Sequence, residues 1–289
     1  MTTLIFAMMW RRRAQAAALA LLALLAVAAS VAAPAYLSAA DRAVAAGQVE
    51  TASTGDRGLL VSRTENDRRG AASGSGLSFA TVGPALAAFP GFTQTYAAEF
   101  AAFGIEPDPV HRSRMVHRQD VCAHLTMATG RCVSGADEVV LGARTAERLE
   151  LAAGDVIEIA FATFNSEKAE PVYQADGDAR FLTITGTYTV PDPADPYWGT
   201  HGYFAADPGD RPGEPVFTTG ATLELMDRGA TLKSVDSIAG PGALDTDRLE
   251  GVRSALAALD EQTDKLGSTI GVRTGLPDLL ERVDAGRAA

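Results

Sequence analysis

The residues Glu138–Ile159, EVVLGARTAERLELAAGDVIEI, hold the best organised pattern in this chain. A short apolar run ends at Gly142, and Ala143–Leu149 has the composition and spacing of one or two helical turns. A Gly-Asp turn signal then precedes a second apolar run, Val156–Ala160. This order predicts a strand, a short helix, a tight turn and a second strand.

The same alternation continues on both sides of this stretch and predicts an α+β fold rather than a repeat. The predicted strands are Gly58–Thr64, Pro109–Leu125 as one or two exposed strands, Phe181–Val190, Pro215–Thr219 and Thr231–Ile238. The predicted helices are Pro84–Phe103 with a break at Pro90-Gly91, Asp245–Leu266 with an apolar stripe of Leu249, Val252, Leu256 and Leu259, and Leu276–Val283 with Pro277 in its first turn.

The N-terminal region predicts a membrane anchor. Ala14–Ala40 contains no charged residue, and about 20 apolar residues suffice to cross the hydrocarbon core of a bilayer. The topology residues Arg11, Arg12 and Arg13 stand directly before it, so the positive-inside rule places the N-terminus in the cytoplasm and the rest of the chain outside. The alternative is a cleaved signal peptide that ends near Ala33-Pro34-Ala35, although such apolar regions usually have only about 7–15 residues.

Composition and charge exclude several classes of protein. The chain has 289 residues, of which 47% are hydrophobic and 21% charged, so it can bury a large core and is not a disordered segment. Beyond the three N-terminal arginines, 22 cations face 36 carboxylates. A nucleic-acid partner is excluded because the sequence has no cluster of cations to neutralise phosphates.

The two cysteines of the sequence, Cys122 and Cys132, favour a disulfide. An even number of cysteines in an exported domain indicates a bridge, here closing a short loop. The alternative is a metal site that combines both cysteines with His117 and His124. Because their spacing matches no structural zinc pattern, we favour the disulfide and interpret these histidines and His111 as ordinary solvated or half-buried residues.

Motifs for catalysis are missing from the sequence. It contains no phosphate-binding loop, no G-x-G-x-x-G after a strand, no H-E-x-x-H and no G-x-S-x-G. Ser75, between two glycines, is interpreted as part of a flexible loop. Carboxylates that could in principle bind calcium lack the spacing of a calcium loop and are interpreted as solvated turn residues: Asp192, Asp195, Asp207, Asp210 and Glu214. The sequence therefore predicts no enzyme, no metal site and no cofactor.

Three aromatic residues stand out in the long loop 191–215. Tyr197, Trp198 and Tyr203 could form a contact patch for a ligand or partner. They could equally fold back and cover the sheet. The sequence leaves these alternatives open.

The stretch Glu138–Ile159 resembles the first extracytoplasmic domain of FtsX-like, MacB-type ABC-transporter permeases. Members of that family have a strand that ends in glycine, a short helix with A-x-R-L, and a G-D turn into the next strand. The segments Thr183–Tyr188 and Asp195–Trp198 resemble the following family strand and loop. The basic start before the first span fits as well.

The resemblance implies a division of the chain into three parts. Residues 1–13 would be a cytoplasmic or interfacial segment, 14–38 a transmembrane helix, and 39–289 an extracytoplasmic α/β domain of MacB periplasmic-core type. Stalk helices at 39–50 and 276–289 would lie side by side and connect that domain to the membrane. The last helix resembles the one that enters a second span in the family.

The resemblance also implies a function without a catalytic site. The chain would be the N-terminal part of a permease subunit in the cell membrane, acting in transport or mechanotransmission. Its partners would be the lipid bilayer, a cytoplasmic ABC ATPase subunit reached through the rest of the permease, and a second permease copy. We expect no ATPase, hydrolase or transport activity from these 289 residues alone. The alternatives are a stand-alone anchored or secreted binding module without catalytic activity and, less favoured, an exported enzyme.

Overall fold

A long helix, α1 (Arg13–Thr51), leads into a mixed α/β domain. The structure, a computed structural model, describes residues 13–68, 78–107, 113–167, 172–204, 214–266 and 269–288. The other helices are α2 (Phe79–Leu86), α3 (Ala143–Leu149), α4 (Gly220–Leu225), α5 (Thr246–Leu266) and α6 (Leu276–Ala288). Short 3₁₀ turns occupy Val121–His124 and Pro196–Trp198.

The strands form one large mixed sheet. They are β1 (Gly58–Asn66), β2 (Phe92–Phe103), β3 (Ser113–Arg118), β4 (Thr126–Gly130), β5 (Glu138–Gly142), β6 (Val156–Asn165), β7 (Val172–Ala175), β8 (Arg180–Thr189), β9 (Val216–Thr218), β10 (Ala230–Ala239) and β11 (Gly271–Thr274). Their order in the sheet is β11-β1-β10-β2-β3-β9-β5-β8-β6-β7, with β4 added beside β8. The pairs β3–β9 and β5–β8 are parallel, and the other pairs are antiparallel.

Six of the strands close into a ring. The end of β2 pairs with β6, with Ala102 opposite Phe161, in addition to its pairs with β10 and β3. The ring β2-β3-β9-β5-β8-β6 encloses an apolar cluster that includes Phe100, Met115, Leu141, Ile159, Leu182 and Ile184. Closure leaves these strands without a free edge along the ring, which is the arrangement that barrels use to protect their edges.

A second core lies between the strands β1, β10, β2 and a layer of helices. Val61 and Val235 face each other across β1 and β10, and both are completely or almost completely buried. Residues of α1, α2, α5 and α6 cover them and include Ala45, Val49, Phe79, Val252, Leu279 and Val283. The C-terminal turns of α1 are therefore part of the domain core.

The strand, helix, turn and strand predicted from Glu138–Ile159 are confirmed as β5, α3 and β6. Leu149 and Leu151 pack against the ring core, and Gly154 takes a positive φ of 102°. Asp155 accepts a hydrogen bond from the backbone N–H of Ala152 at 2.7 Å, which closes the turn. Glycine is the residue that adopts such a positive φ without steric cost.

The prediction of a helix over Pro84–Phe103 is wrong for its larger part. The helix α2 ends at Leu86, and Phe92–Phe103 is the strand β2 at the centre of the sheet. The strand contains four alanines and a glutamate, which are good helix formers, and its pairing with β10 and β3 overrides this helix propensity.

The prediction of exposed strands over Pro109–Leu125 is also wrong in part. Residues 109–112 lie outside the described residues, and β3 follows as a central strand between β2 and β9. Met115, Val116 and Arg118 are at most 1% exposed. The charged positions suggested solvent exposure, whereas Arg118 is buried because its charge has partners within the fold.

Candidate functional site

The helix α1 has an apolar segment that the domain leaves uncovered. By length and composition, Ala17–Thr51 could cross a membrane, and none of its most apolar window is buried. Its leucines are more than half exposed: Leu19, Leu21, Leu22, Leu24 and Leu25. An exposed apolar surface of this length needs a cover, and a bilayer supplies one. Arg11 and Arg12 lie outside the described residues, so the orientation stays a prediction.

The helix is longer than a bilayer requires. Its 39 residues span about 58 Å at 1.5 Å per residue, against about 30 Å of hydrocarbon. The outer turns bury Ala45 and Val49, at 2% and 4% exposure, in the domain core. The remaining length therefore forms a stalk, a term used here for residues 39–51 of α1 together with α6.

The two helices of the stalk run antiparallel. The chain enters α6 beside the outer end of α1, where the backbone N–H of Gly275 donates to the carbonyl of Gly55 at 3.2 Å. Near the other end of α6, a Cβ placed on Gly286 would lie 3.0 Å from Cγ1 of Val44. The helix α6 thus returns along α1 toward its apolar segment.

Ion pairs add to this packing. Arg282 of α6 pairs with Asp56 at 3.3 Å, and Arg253 of α5 pairs with Asp284. All four side chains are at least 39% exposed, and such exposed pairs typically contribute below about 1 kcal/mol. The apolar contacts of Leu279, Leu280 and Val283 therefore provide most of the free energy that holds α6 in place.

The loop between β8 and β9 folds back on the sheet. Trp198 and Tyr203 are 4% and 5% exposed and pack with Phe217 and Tyr188. Tyr197 is partly exposed, and its ring stacks on His124 at 3.5 Å between centroids. Of the two alternatives for these aromatic residues, the contacts favour folding back for Trp198 and Tyr203. Tyr197 remains the one of the three with surface available to a partner.

A buried ion cluster lies beneath this loop. Arg118 Nη1 donates to Asp236 Oδ2 at 2.8 Å, and His201 Nε2 lies 2.9 Å from the same oxygen. The side chains of all three residues are at most 4% exposed. Arg118 also donates to the carbonyl of Tyr197, and its guanidinium lies 4.7 Å from the centre of that ring. The cluster therefore ties the loop to strands β3 and β10.

The charges in this cluster stabilise one another. Burial alone raises the pKa of the Asp236 carboxyl, but the hydrogen bond from His201 and the charge of Arg118 outweigh burial, and the pKa falls below its ordinary value. Burial lowers the pKa of Arg118, whereas Tyr203 and Asp236 raise it, and the net shift is upward. The pair consequently stays ionised, which suits a structural role for the cluster.

Sequence reasoning does not predict this cluster. An available signal is Asp236 beside Val235 in the strand β10, because an acidic residue is rarely buried without a partner. The partners Arg118 and His201 come from a different strand and from the loop, at sequence distances of 118 and 35 residues. The sequence alone does not show that residues so far apart in the chain lie in contact.

The predicted disulfide is confirmed: Cys122 and Cys132 are bridged, with their Cα atoms 5.9 Å apart. Bridged sulfurs are not available as thiolate ligands, so the alternative zinc site does not form. His117 is half-buried, with Nδ1 3.4 Å from the carbonyl oxygen of Thr218, and burial lowers its pKa. His111 lies outside the described residues.

The carboxylates of the loop do not converge on a metal. Asp195 accepts a hydrogen bond from the N–H of Tyr197 at 2.9 Å, and Asp192 accepts one from Ala194. Glu214 is not a solvated turn residue as predicted, because it accepts hydrogen bonds from Thr145 and pairs with Arg144. Asp207, Asp210 and Ser75 lie outside the described residues. Within the described ranges, no group of three or more metal-ligating side chains occurs.

Comparison with solved structures finds chains with a similar fold, among them a permease domain. A crystal structure of a domain from Porphyromonas gingivalis, in a protein described as a permease, matches at 13% identity with a TM-score of 0.34. The match covers 76% of this chain and 88% of that chain. No protein-family model matches the chain, and no curated protein sequence matches it. A similarity at this TM-score carries no argument about function, so the functional proposal rests on the stalk and on the sequence.

Proposed function

We propose that this chain is the N-terminal part of an FtsX-like, MacB-type ABC-transporter permease subunit. In this role it is a membrane-anchored extracytoplasmic domain that serves transport or mechanotransmission and is powered by a separate ATPase. The observation that carries the proposal is the antiparallel stalk: α6 packs on α1 and returns toward its apolar segment. The resemblance of Glu138–Ile159 to the family supports it.

The stalk suits the transmission of motion. The C-terminal turns of α1 and the helix α6 pack into the same apolar core of the domain. A displacement of either helix therefore reaches the strands β1 and β10 through packed side chains. In this role the domain itself needs no catalytic residue. Its partners would be the bilayer, the ATPase and a second permease copy.

The test is the genomic reading frame that encodes the chain, together with its neighbours. We expect further apolar spans encoded after the codon of Ala289 and an ABC ATPase gene beside it. A stop codon at that point with no ATPase gene nearby would contradict the proposal. It would favour the alternative, a stand-alone anchored binding module.

A further inference from the structure

A groove of about 390 Å³ lies at the ends of strands β2 and β10, against the loop that carries Tyr197. This volume falls within the range of small-molecule sites, about 300–1,000 Å³. The ring of Tyr197 stacks on His124 and also lies against the guanidinium of Arg118. These two contacts hold the ring in place, so this wall of the groove is preformed. Most of the surface that lines the groove is apolar, and a few polar and charged side chains are set into it, among them Arg57, Thr93, Thr95, Asp120 and Asp195.

The charges in the groove are separated by sign. Arg57 precedes β1, and its carbonyl accepts a hydrogen bond from Ala239 of β10 at 2.9 Å. Asp120 follows β3, and Asp195 lies on the loop beside it, as the contact of its carboxylate with His124 at 3.4 Å shows. In the order β1-β10-β2-β3, three strand spacings of about 4.8 Å place Arg57 and Asp120 about 14 Å apart along the sheet.

One charged side chain at each end, Arg57 and Asp120, lacks a partner of its own, whereas Asp195 contacts His124 and the N–H of Tyr197. Among the residues that the structure describes, the side chains of Arg57 and Asp120 form no ion pair and no hydrogen bond with one another or with any other residue. The Nε atom of Arg57 is moreover buried without an acceptor. Unpaired charges at opposite ends of a preformed groove are complementary to a ligand with two opposite charges.

We propose that this groove binds a zwitterionic small molecule of the dimensions of a short peptide. Its carboxylate is held by Arg57 and its ammonium group by Asp120 and Asp195. The threonines of β2 lie between these ends, where a peptide backbone offers donors and acceptors. This binding site goes beyond the function proposed above.

The position of the groove favours a ligand from solution over a lipid headgroup. Leu37 is the last large exposed apolar residue of α1, and the helix ends 14 residues later at Thr51, six residues before Arg57 of the groove. At 1.5 Å per residue, the end of α1 lies about 21 Å beyond the apolar segment.

The experiment is calorimetric titration of the full chain in detergent with tri-alanine, N-acetyl-tri-alanine and tri-alanine amide. We expect tri-alanine to bind, and each blocked peptide to bind at least tenfold more weakly. The variant Arg57→Gln should remove the preference for the free carboxylate, and Asp120→Asn the preference for the free amine. Arg57→Lys should retain the carboxylate preference, which separates charge recognition from an effect on folding.

The matched control is Arg42→Gln, which removes one exposed cation from the stalk and should leave all three affinities unchanged. The proposal fails if none of the peptides binds, or if the three bind equally well. It also fails if Arg57→Gln, with an unchanged thermal unfolding midpoint, keeps the preference for the free carboxylate. None of these outcomes alters the stalk, so failure here is distinct from failure of the proposed function.

Discussion

At the scale of single residues, the ion pair of Arg118 and Asp236 makes the fold sensitive to one substitution. Asp236→Asn removes the countercharge of a buried guanidinium, and breaking such a pair costs about 3–5 kcal/mol because a charge remains buried alone. We expect this loss in the free energy of unfolding, measured in urea on the full chain in detergent. Glu261→Gln, in an exposed pair on α5, should change it by less than about 0.5 kcal/mol.

The same pair gives the stability a pH dependence of known sign. The pKa of Asp236 is lower in the folded chain than its ordinary value of 3.8, so the contribution of its carboxylate is fully present above that value. It is lost as the pH falls through the folded pKa. The wild type should therefore lose stability in this acid range more steeply than Asp236→Asn. Equal acid slopes for the two proteins would contradict the assignment.

Gly199 lies against the same carboxylate. Its backbone, with φ 59° and ψ −145°, is a conformation that essentially only glycine adopts, and an added Cβ would collide with Oδ1 of Asp236. Gly154 is the matched control, because its φ is 102° but a Cβ there would meet no atom within 4 Å. We expect Gly199→Ala to lower the thermal unfolding midpoint more than Gly154→Ala does. The reverse order would contradict the packing described for the loop.

At the scale of elements, the disulfide holds the 3₁₀ turn that carries His124. The bridge closes an 11-residue loop, and such a loop stabilises a fold by about 2–3 kcal/mol, largely through the unfolded chain. We expect the intact protein to weigh about 2 Da less than its reduced form, since two hydrogens are lost per bridge. Reduction should lower the free energy of unfolding by that amount. An unchanged unfolding curve after verified reduction would contradict this.

The stalk gives a distance prediction. Spin labels at Asp41 and Glu281 should lie within about two helix diameters, ~20–24 Å, in the membrane-reconstituted chain. The substitution Val283→Asp places a charge at a completely buried contact of α6 and should broaden and lengthen this distribution. A matched Asp278→Asn change in the exposed first turn should leave it unchanged. A long distance in the wild type would separate the two helices and remove the basis of the proposed function.

At the scale of the whole molecule, the direction of insertion can be measured. We expect the domain outside the cytoplasm, because Arg11–Arg13 precede the apolar segment. A cysteine introduced by Glu261→Cys on the exposed face of α5 should react with a membrane-impermeant maleimide in intact cells, while the bridged native cysteines do not. Labelling only after permeabilisation would show that the domain lies on the cytoplasmic side and would contradict the predicted orientation. If the mature protein begins near Ala35, the apolar segment is a cleaved signal peptide and not a membrane anchor.

The sequence by itself determined the local features of this protein. The apolar helix α1, the strand-helix-turn-strand of β5, α3 and β6, the amphipathic helix α5 and the Cys122–Cys132 bridge each follow from residues close together in the chain. Their physical causes are local: the apolar length of a helix, the period of a stripe, a glycine at positive φ, and a short loop between two thiols.

Only the tertiary structure decided how distant segments combine. It made Phe92–Phe103 a central strand, because pairing with β10 and β3 outweighs the helix propensity of its alanines. It brought Arg118, His201 and Asp236 together and set Arg57 and Asp120 at opposite ends of one groove. It returned α6 along α1. Such contacts depend on strand order and packing across more than a hundred residues, and no local propensity encodes them.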